Sequence, residues 1–279
     1  MKPGDSIGAY LCQAGQVLRA AAIENPRMEA RWLLGHAMVA TPETLLRDPR
    51  APVPPDAARH FTAMLARRAR REPLAYILGS AGFWGLDFLV SPATLIPRAD
   101  SETLVEAALE HAPHARRVLD LGTGTGCLLL AVLSELPAAT GIGVDINPAA
   151  AALARRNATA LGLPGQFLAG DWAAALNARF DLILSNPPYI EAAAIPALMP
   201  EVAAHEPTAA LDGGADGLDA YRAILAALPG LLAPSGVAVL ELGQGQAPAL
   251  GGLTAAQGLF WRGTRPDLNG IPRAAIIAA

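Results

Sequence analysis

Apolar residues follow two different rhythms along this chain, and the rhythm changes near residue 75. Before it, Ala57, Phe61, Met64 and Leu65 recur at the spacing of one helical face. Pro26 and Pro42 stand where first-turn prolines are tolerated, and Thr41 and Asp56 suit N-caps. Residues 4–72 therefore read as helices, closed by Arg67-Arg68-Ala69-Arg70-Arg71 as a solvated helix end. That reading is favoured over a contact for RNA or an RNA-bound protein. From Ala75, residues 76–78, a turn at 79–82 and residues 83–90 read as a β-hairpin. An extended stretch follows, with Asp100 or Ser101 capping a helix over 102–111. After Arg117, short apolar runs at 118–121, 141–146, 166–168, 180–185, 236–242, 258–262 and 274–278 alternate with helical segments. Strand–helix alternation predicts a mostly parallel sheet of seven strands covered by helices. The expected division is a small helical domain at 1–72, a hairpin linker at 73–97 and an α/β domain at 98–279.

The run 180–185 stops abruptly at Asn186-Pro187-Pro188-Tyr189. Two prolines remove two backbone donors and fix φ, so the ladder cannot continue through them. Pro188 also drives residue 187 toward extended geometry. A stiff turn at the carboxyl end of a buried strand lies where open α/β sheets bind ligands. The Asn186 side-chain oxygen and the Pro187 carbonyl offer two acceptors on rigid supports, and Tyr189 offers a ring. A planar NH2 group carries two donors, so this set suits an amide or a base nitrogen.

A second motif precedes it. Gly122-Thr123-Gly124-Thr125-Gly126 follows the strand 118–121 and opens a helix at Cys127. Such loops bring backbone N–H groups close to an anionic ligand. The spacing is Gly-x-Gly-x-Gly, one residue tighter than the dinucleotide fingerprint. Asp145 ends the next strand, where a carboxylate takes both hydroxyls of a ribose. It also suits a helix cap before Pro148. Asp171 and Trp172 close the strand after that, placed to frame an adenine. Asp120 is a weaker candidate for an ammonium group. These features describe a nucleoside with an anionic group, which NAD and S-adenosylmethionine both satisfy. The Asn-Pro-Pro-Tyr turn decides for S-adenosylmethionine, because it supplies a methyl acceptor site and no hydride-transfer group. The turn resembles that of methyltransferases acting on adenine N6, guanine N2 or glutamine N5.

Composition narrows the partners. The chain has 279 residues, 52% of them hydrophobic and 16% charged, enough for a sizeable core. Its net charge of −4 argues against wrapping nucleic acid, so no direct DNA binding is expected. Residues 1–80 carry 11 Lys and Arg against 7 Asp and Glu, while 81–279 carry 10 against 18. The two parts should therefore meet different partners. Two cysteines, Cys12 and Cys127, make no disulfide framework, and the reducing cytoplasm is the expected compartment. No signal-peptide core stands at the amino terminus, and no run reaches the ~18 residues of a membrane span. Neither a metal site nor a membrane contact is expected, and a monomer is.

Further stretches make the resemblance specific. Residues 71–79, Phe83-Trp84-Gly85-Leu86, Ile96-Pro97-Arg98, Glu206-Pro207, 210–218 and 267–273 resemble the release factor glutamine N5-methyltransferases. The likeness runs from about residue 70 to the end. It departs at Ala99, where the family usually has a second proline, which loosens that stretch slightly. The resemblance implies a Rossmann-like class I methyltransferase domain and methylation of the glutamine in the Gly-Gly-Gln tip of peptide-chain release factors. By it, Gly122, Thr123, Gly124, Thr125, Gly126, Asp145, Trp172 and Asn186 contact S-adenosylmethionine. Asn186, Pro187, Pro188 and Tyr189 hold the glutamine, with Asn186, Pro187 and Tyr189 as the catalytic set. Modification of a ribosomal-protein glutamine is the nearest alternative. A DNA adenine-N6 methyltransferase shares the turn, but no target-recognition insert is evident. A cofactor-binding scaffold without activity leaves the turn unexplained.

Overall fold

The computed structural model describes residues 4–279. In chain order the helices and strands open with α1 (Ile7–Ala20), α2 (Pro26–Met38), α3 (Pro42–Arg47), α4 (Pro55–Ala69) and α5 (Leu74–Leu78). A hairpin follows, β1 (Ser80–Phe83) and β2 (Leu86–Leu89), then α6 (Glu102–His111). The α/β alternation runs β3 (Arg117–Leu121), α7 (Cys127–Glu135), β4 (Thr140–Asp145), α8 (Pro148–Leu161), β5 (Gly165–Ala169) and β6 (Phe180–Ser185). It continues through α9 (Pro200–His205), α10 (Asp219–Leu231), β7 (Leu232–Glu241), α11 (Ala247–Ala256), β8 (Phe260–Pro266) and β9 (Pro272–Ala278). Contacts group these elements into two units: the chain up to Gly79 with Met199–His205, and Ser80–Leu198 with Glu206–Ala279.

In the helical unit, Tyr10, Leu18, Leu33, Leu34 and Phe61 are fully buried, with the Tyr10 and Phe61 rings 5.7 Å apart. Thr41 caps α3 as its sequence position suggests, accepting from the Thr44 N–H. Asp56 does not cap α4. The helix begins at Pro55, so Asp56 lies within the first turn and pairs with Arg59. The arginine cluster also differs from the expected solvated end. Arg68 is buried and donates to both Glu29 oxygens, at 2.5 and 3.2 Å, and to Glu201 of α9 at 3.0 Å. Arg71 reaches the other Glu201 oxygen at 2.7 Å, and Arg67 pairs with Glu72. Glu29 and Glu201, distant in sequence, take up the Arg68 and Arg71 charges, which no helical pattern reveals.

Residues 76–78, read as a strand, belong to α5. The first hairpin strand is instead Ser80–Phe83, from the expected turn, and it pairs with β2 around Trp84-Gly85. Gly79 and Gly85 have φ of +79° and +69°, and these glycines punctuate the segment.

The second unit is a sheet of seven strands in the order β5-β4-β3-β6-β7-β9-β8, parallel through β7 and antiparallel beyond. Residues alternate across it. Val118, Leu182, Leu184, Val237 and Val239 pack with α6, α7 and α8, while Leu119, Leu121, Ile183, Ala238 and Leu240 pack with α10 and α11. The order reverses between β3 and β6, because the chain builds outward through β4 and β5 before returning beside β3. That is a topological switch point, where a crevice opens at the strands' carboxyl ends.

Close packing carries this end of the sheet. A β-carbon on Gly143 would stand 2.6 Å from the Phe167 ring and 2.7 Å from the Thr123 hydroxyl. Gly143→Ala should therefore cost about 1–3 kcal/mol by overpacking. A urea titration should show a lower midpoint at unchanged slope. An unchanged midpoint would mean that Phe167 and Thr123 move aside freely.

Candidate active site

Register aligns the motif-bearing strand ends. Leu121 pairs with Val144 on one side and Ser185 on the other, and Ser185 pairs with Leu240. One residue further along, Asp145, Gly122, Asn186 and Glu241 therefore share a row across four neighbouring strands. A cavity of about 270 Å³ opens on this row. Of the residues singled out by sequence, Gly122, Thr123, Gly124, Thr125, Asp145, Asp171, Trp172, Asn186 and Pro188 line it. Gly126, Pro187 and Tyr189 do not. Gly126 caps α7 with φ of +81°, and a β-carbon there would press on Ala154 and Phe167 at 3.1 Å.

The glycine loop turns on φ of +72° at Gly122 and +55° at Gly124. The Gly124 N–H donates to Asp145 Oδ2 at 2.8 Å, and the Asn147 N–H to Asp145 Oδ1 at 2.8 Å. Asp145 thus ties β4 to the loop, and the cap of α8 is Asn147, which accepts from the Ala149 N–H. Burial raises the Asp145 pKa, and those two N–H groups pull the other way. Trp172 sits at φ of +44°, its ring 3.6 Å from where a Gly122 β-carbon would be. Such backbone geometry in a tryptophan is strained and marks a constrained position. Ile146 also lines the cavity while 69% exposed, an apolar face open to a flat ligand.

On the other side the turn is clamped. The Ser185 hydroxyl donates to the Leu121 carbonyl at 2.6 Å, joining the two strand ends. The Asn186 Nδ2 donates to the Ser101 hydroxyl at 3.3 Å. Ser101 donates in turn to Glu241 Oε2 at 2.5 Å, and the Tyr189 hydroxyl to Glu241 Oε1 at 3.1 Å. Gln246 Nε2 holds the Tyr189 carbonyl at 3.0 Å. Ser101 makes no capping hydrogen bond, contrary to its reading as a helix cap. Glu241 was not singled out by sequence. Its signal was a lone carboxylate closing the apolar run Val237 to Leu240. Glu206, buried, takes the Arg98 guanidinium at 2.5 Å and the Ile96 N–H at 3.2 Å, fixing the extended stretch along the cavity.

The model of the PrmC N-terminal domain matches residues 9–79, and that of the methyltransferase small domain matches residues 99–214. A release factor glutamine methyltransferase of Rhodospirillum rubrum is 50% identical over 271 residues, covering 96% of this chain and 83% of that protein. This chain belongs to the release factor glutamine methyltransferase family. A second such protein, from Cereibacter sphaeroides, is 49% identical over 92% of each chain. A solved methyltransferase structure from Pyrococcus furiosus shares the fold, with a TM-score of 0.56 over 76% of this chain and 98% of that one, at 17% identity.

Two further groups define the electrostatics of this family member's site. Asp120 is buried under the glycine loop, where Oδ2 accepts from the Thr123 hydroxyl at 2.6 Å. Its Oδ1 has no hydrogen-bond partner among the described residues. Burial pushes its pKa up to about 7, the Thr123 hydroxyl pulls it down and the Asp145 charge adds to the rise. Cys127 lines the cavity as a thiol, burial pushing its pKa up to about 12. It offers no thiolate nucleophile near neutral pH.

The raised Asp120 pKa sets a sign for stability. The native state holds that proton more tightly than the unfolded chain, so this contribution is present at low pH and lost as pH rises through about 7. Asp120→Asn removes the effect. The variant's stability relative to the parent should climb with pH by roughly 1.4 kcal/mol per unit until it levels near neutrality. Denaturant titrations at successive pH values test this. Parallel curves would show that Asp120 keeps its ordinary pKa in the fold.

Proposed function

We propose that this enzyme transfers a methyl group from S-adenosylmethionine to the side-chain amide nitrogen of the glutamine in the Gly-Gly-Gln tip of peptide-chain release factors. The observation that carries the reading is one cavity bordered both by the glycine loop with Asp145 and by the Asn-Pro-Pro turn. The names of the full-length relatives give the substrate class.

The residues fit the cofactor on their own chemistry. Asp145 retains carboxylate lone pairs for ribose hydroxyls, and Trp172 with Ile146 offers apolar surface for an adenine. A β-carbon on Gly124 would meet nothing within 4 Å, so backbone alone borders the cavity there. The unpartnered Asp120 Oδ1 supplies an acceptor for an ammonium group. When bound, S-adenosylmethionine supplies an electrophilic methyl on a positively charged sulfur.

The chain's own part is orientation. An amide nitrogen is a weak nucleophile because its lone pair is delocalised. Asn186 Oδ1 and the Pro187 carbonyl accept the two amide hydrogens and aim the nitrogen along the transfer axis. Pro188 walls the acceptor, and Tyr189 holds the turn through Glu241. Proximity supplies most of the acceleration. The amide proton leaves after transfer, when the nitrogen has become acidic, so no strong base is needed beside the turn. The helical unit recognises the release factor, the enzyme acts as a cytoplasmic monomer, and it does not bind DNA directly. Among the described residues no helix is long and apolar enough to cross a membrane.

Asn186→Ala should lower the rate of label transfer from S-adenosylmethionine to purified release factor by about 10²–10³ while the protein stays folded. Transfer at the parent rate would remove the turn from the mechanism. Asp145→Ala should weaken S-adenosylmethionine binding in calorimetry by about 1.5–3 kcal/mol, the worth of a charged hydrogen bond. Unchanged affinity would take Asp145 out of the cofactor site.

A further inference from the structure

We infer that buried Glu241 acts as a positioning residue which, through the Ser101 hydroxyl, dictates which end of the Asn186 amide faces the substrate. The inference rests on the assignment of Asn186 to the substrate amide and deepens it.

Hydrogen-bond polarity, not shape, sets the orientation of this amide. An amide side chain has nearly the same shape in its two flipped states, but one presents an acceptor to the cavity and the other a donor. Only the first can hold the hydrogen of a glutamine NH2. Shape does not select between them, so a neighbour must. That neighbour is Ser101, 2% exposed, whose hydroxyl has one proton to give. The proton goes to Glu241 Oε2 at 2.5 Å. Facing Asn186, the hydroxyl therefore has only lone pairs left, and it accepts from Nδ2 at 3.3 Å. Oδ1 is then turned away from Ser101.

The carboxylate is what gives this chain its direction. Glu241 is also 2% exposed and receives Ser101 on one oxygen and Tyr189 on the other, so both oxygens act as acceptors. Its backbone carbonyl receives the Tyr221 hydroxyl at 2.7 Å, fixing the end of β7. Burial raises the Glu241 pKa, while the Ser101 and Tyr189 hydroxyls and the nearby Arg273 guanidinium, itself paired with Asp267 at 3.1 Å, pull toward the ionised form. A neutral hydroxyl or amide at position 241 could face Ser101 as donor or acceptor, and the direction would be lost. A buried carboxylate is costly to keep. Here it fixes the polarity of an atom two groups away, and it holds the last residue of the turn at the same time.

The test uses the enzyme and two forms of purified release factor, one with glutamine and one with glutamate at the tip. Ser101→Ala frees the amide to flip. It should lower kcat up to about a hundredfold, the scale of a misplaced reacting group. Affinity for S-adenosylmethionine should stay within about twofold, since a positioning role touches orientation alone. Binding should shift toward the glutamate form, because a flipped Asn186 presents a donor; a merely structural role would leave that preference unchanged. Ser101→Thr keeps the hydroxyl and should restore both rate and preference.

Glu241→Gln keeps a partner for Tyr189 but loses the fixed direction, and should fall between parent and Ser101→Ala. In the Ser101→Ala background it should cost little more, because both changes cut one chain of hydrogen bonds. Multiplicative losses would overturn the inference, as would Ser101→Ala with parent kcat and parent preference. Asn186→Ala run in parallel separates two failures. If that variant loses transfer while Ser101→Ala does not, the relay is wrong and the turn's role stands. If Asn186→Ala is fully active, the role of the turn itself fails.

Discussion

The register of β6 against β3 is the constraint on which this site depends. Leu121 faces Ser185, and the Ser185 hydroxyl bonds the Leu121 carbonyl at the point where both strands end. The glycine loop and the Asn-Pro-Pro turn consequently leave the sheet at one height. A slip of one residue would send each strand's side chains to the opposite face. Leu184 would then exchange its place among α6, α7 and α8 for one against α10 and α11. Burial on both faces therefore pins the register, and the register fixes the distance between the two halves of the cavity. Precision at the site is inherited from the packing of the core.

Extended to its neighbours, the same row explains how distant charges come to share one environment. Asp145 and Glu241 end strands on either side of the pair, and Asp120 lies one step inside. Each is held by short hydrogen bonds from the chain: Gly124 and Asn147 to Asp145, Thr123 to Asp120, Ser101 and Tyr189 to Glu241. Each nonetheless has its pKa raised, with burial as the largest cause. Hydrogen bonding offsets part of the desolvation and leaves the rest stored in the fold. Stability alone would favour apolar residues at these positions. Their placement at the strand ends or one residue inside them, around one crevice, fits a cost tied to binding.

How much of this was legible depended on sequence distance. The change of apolar period, the parallel strands and both ligand-facing motifs could be read directly, because each is a local pattern of a few residues. Asn186 and Asp145 stood out because proline and glycine chemistry frames them. What could not be read was who holds them. Asn186 finds Ser101 across 85 residues, and Ser101 finds Glu241 across 140. Ser101 looked like an ordinary N-cap because helix-start statistics are local and the demand on its hydroxyl is not. The arginine cluster misled for the same reason, since Glu29 and Glu201 lie 39 and 133 residues from Arg68. At 76–78, Tyr-Ile-Leu has the composition of a strand, but the left-handed Gly79 closes a helix after it and moves the hairpin downstream.

The polarity of the site carries a final consequence. Asp145, Asp120 Oδ1, the Pro187 carbonyl and Asn186 Oδ1, as Ser101 orients it, are all acceptors, and the Cys127 thiol is too weakly acidic to alter the balance. On the proposed reading these acceptors would meet the donors and positive charge of the ligands: ribose hydroxyls, an ammonium, a sulfonium, an amide NH2. Mutual repulsion between Asp120 and Asp145 already adds to the cost of the empty arrangement. A cationic cofactor would relieve that repulsion, while the substrate amide would satisfy the remaining lone pairs. In the proposed reaction the sulfonium would become a thioether, and the attraction of these acceptors for the cofactor would weaken once the methyl has moved. An arrangement suited to the charged donor would thus hold the neutral product less well, which would favour release after each turnover.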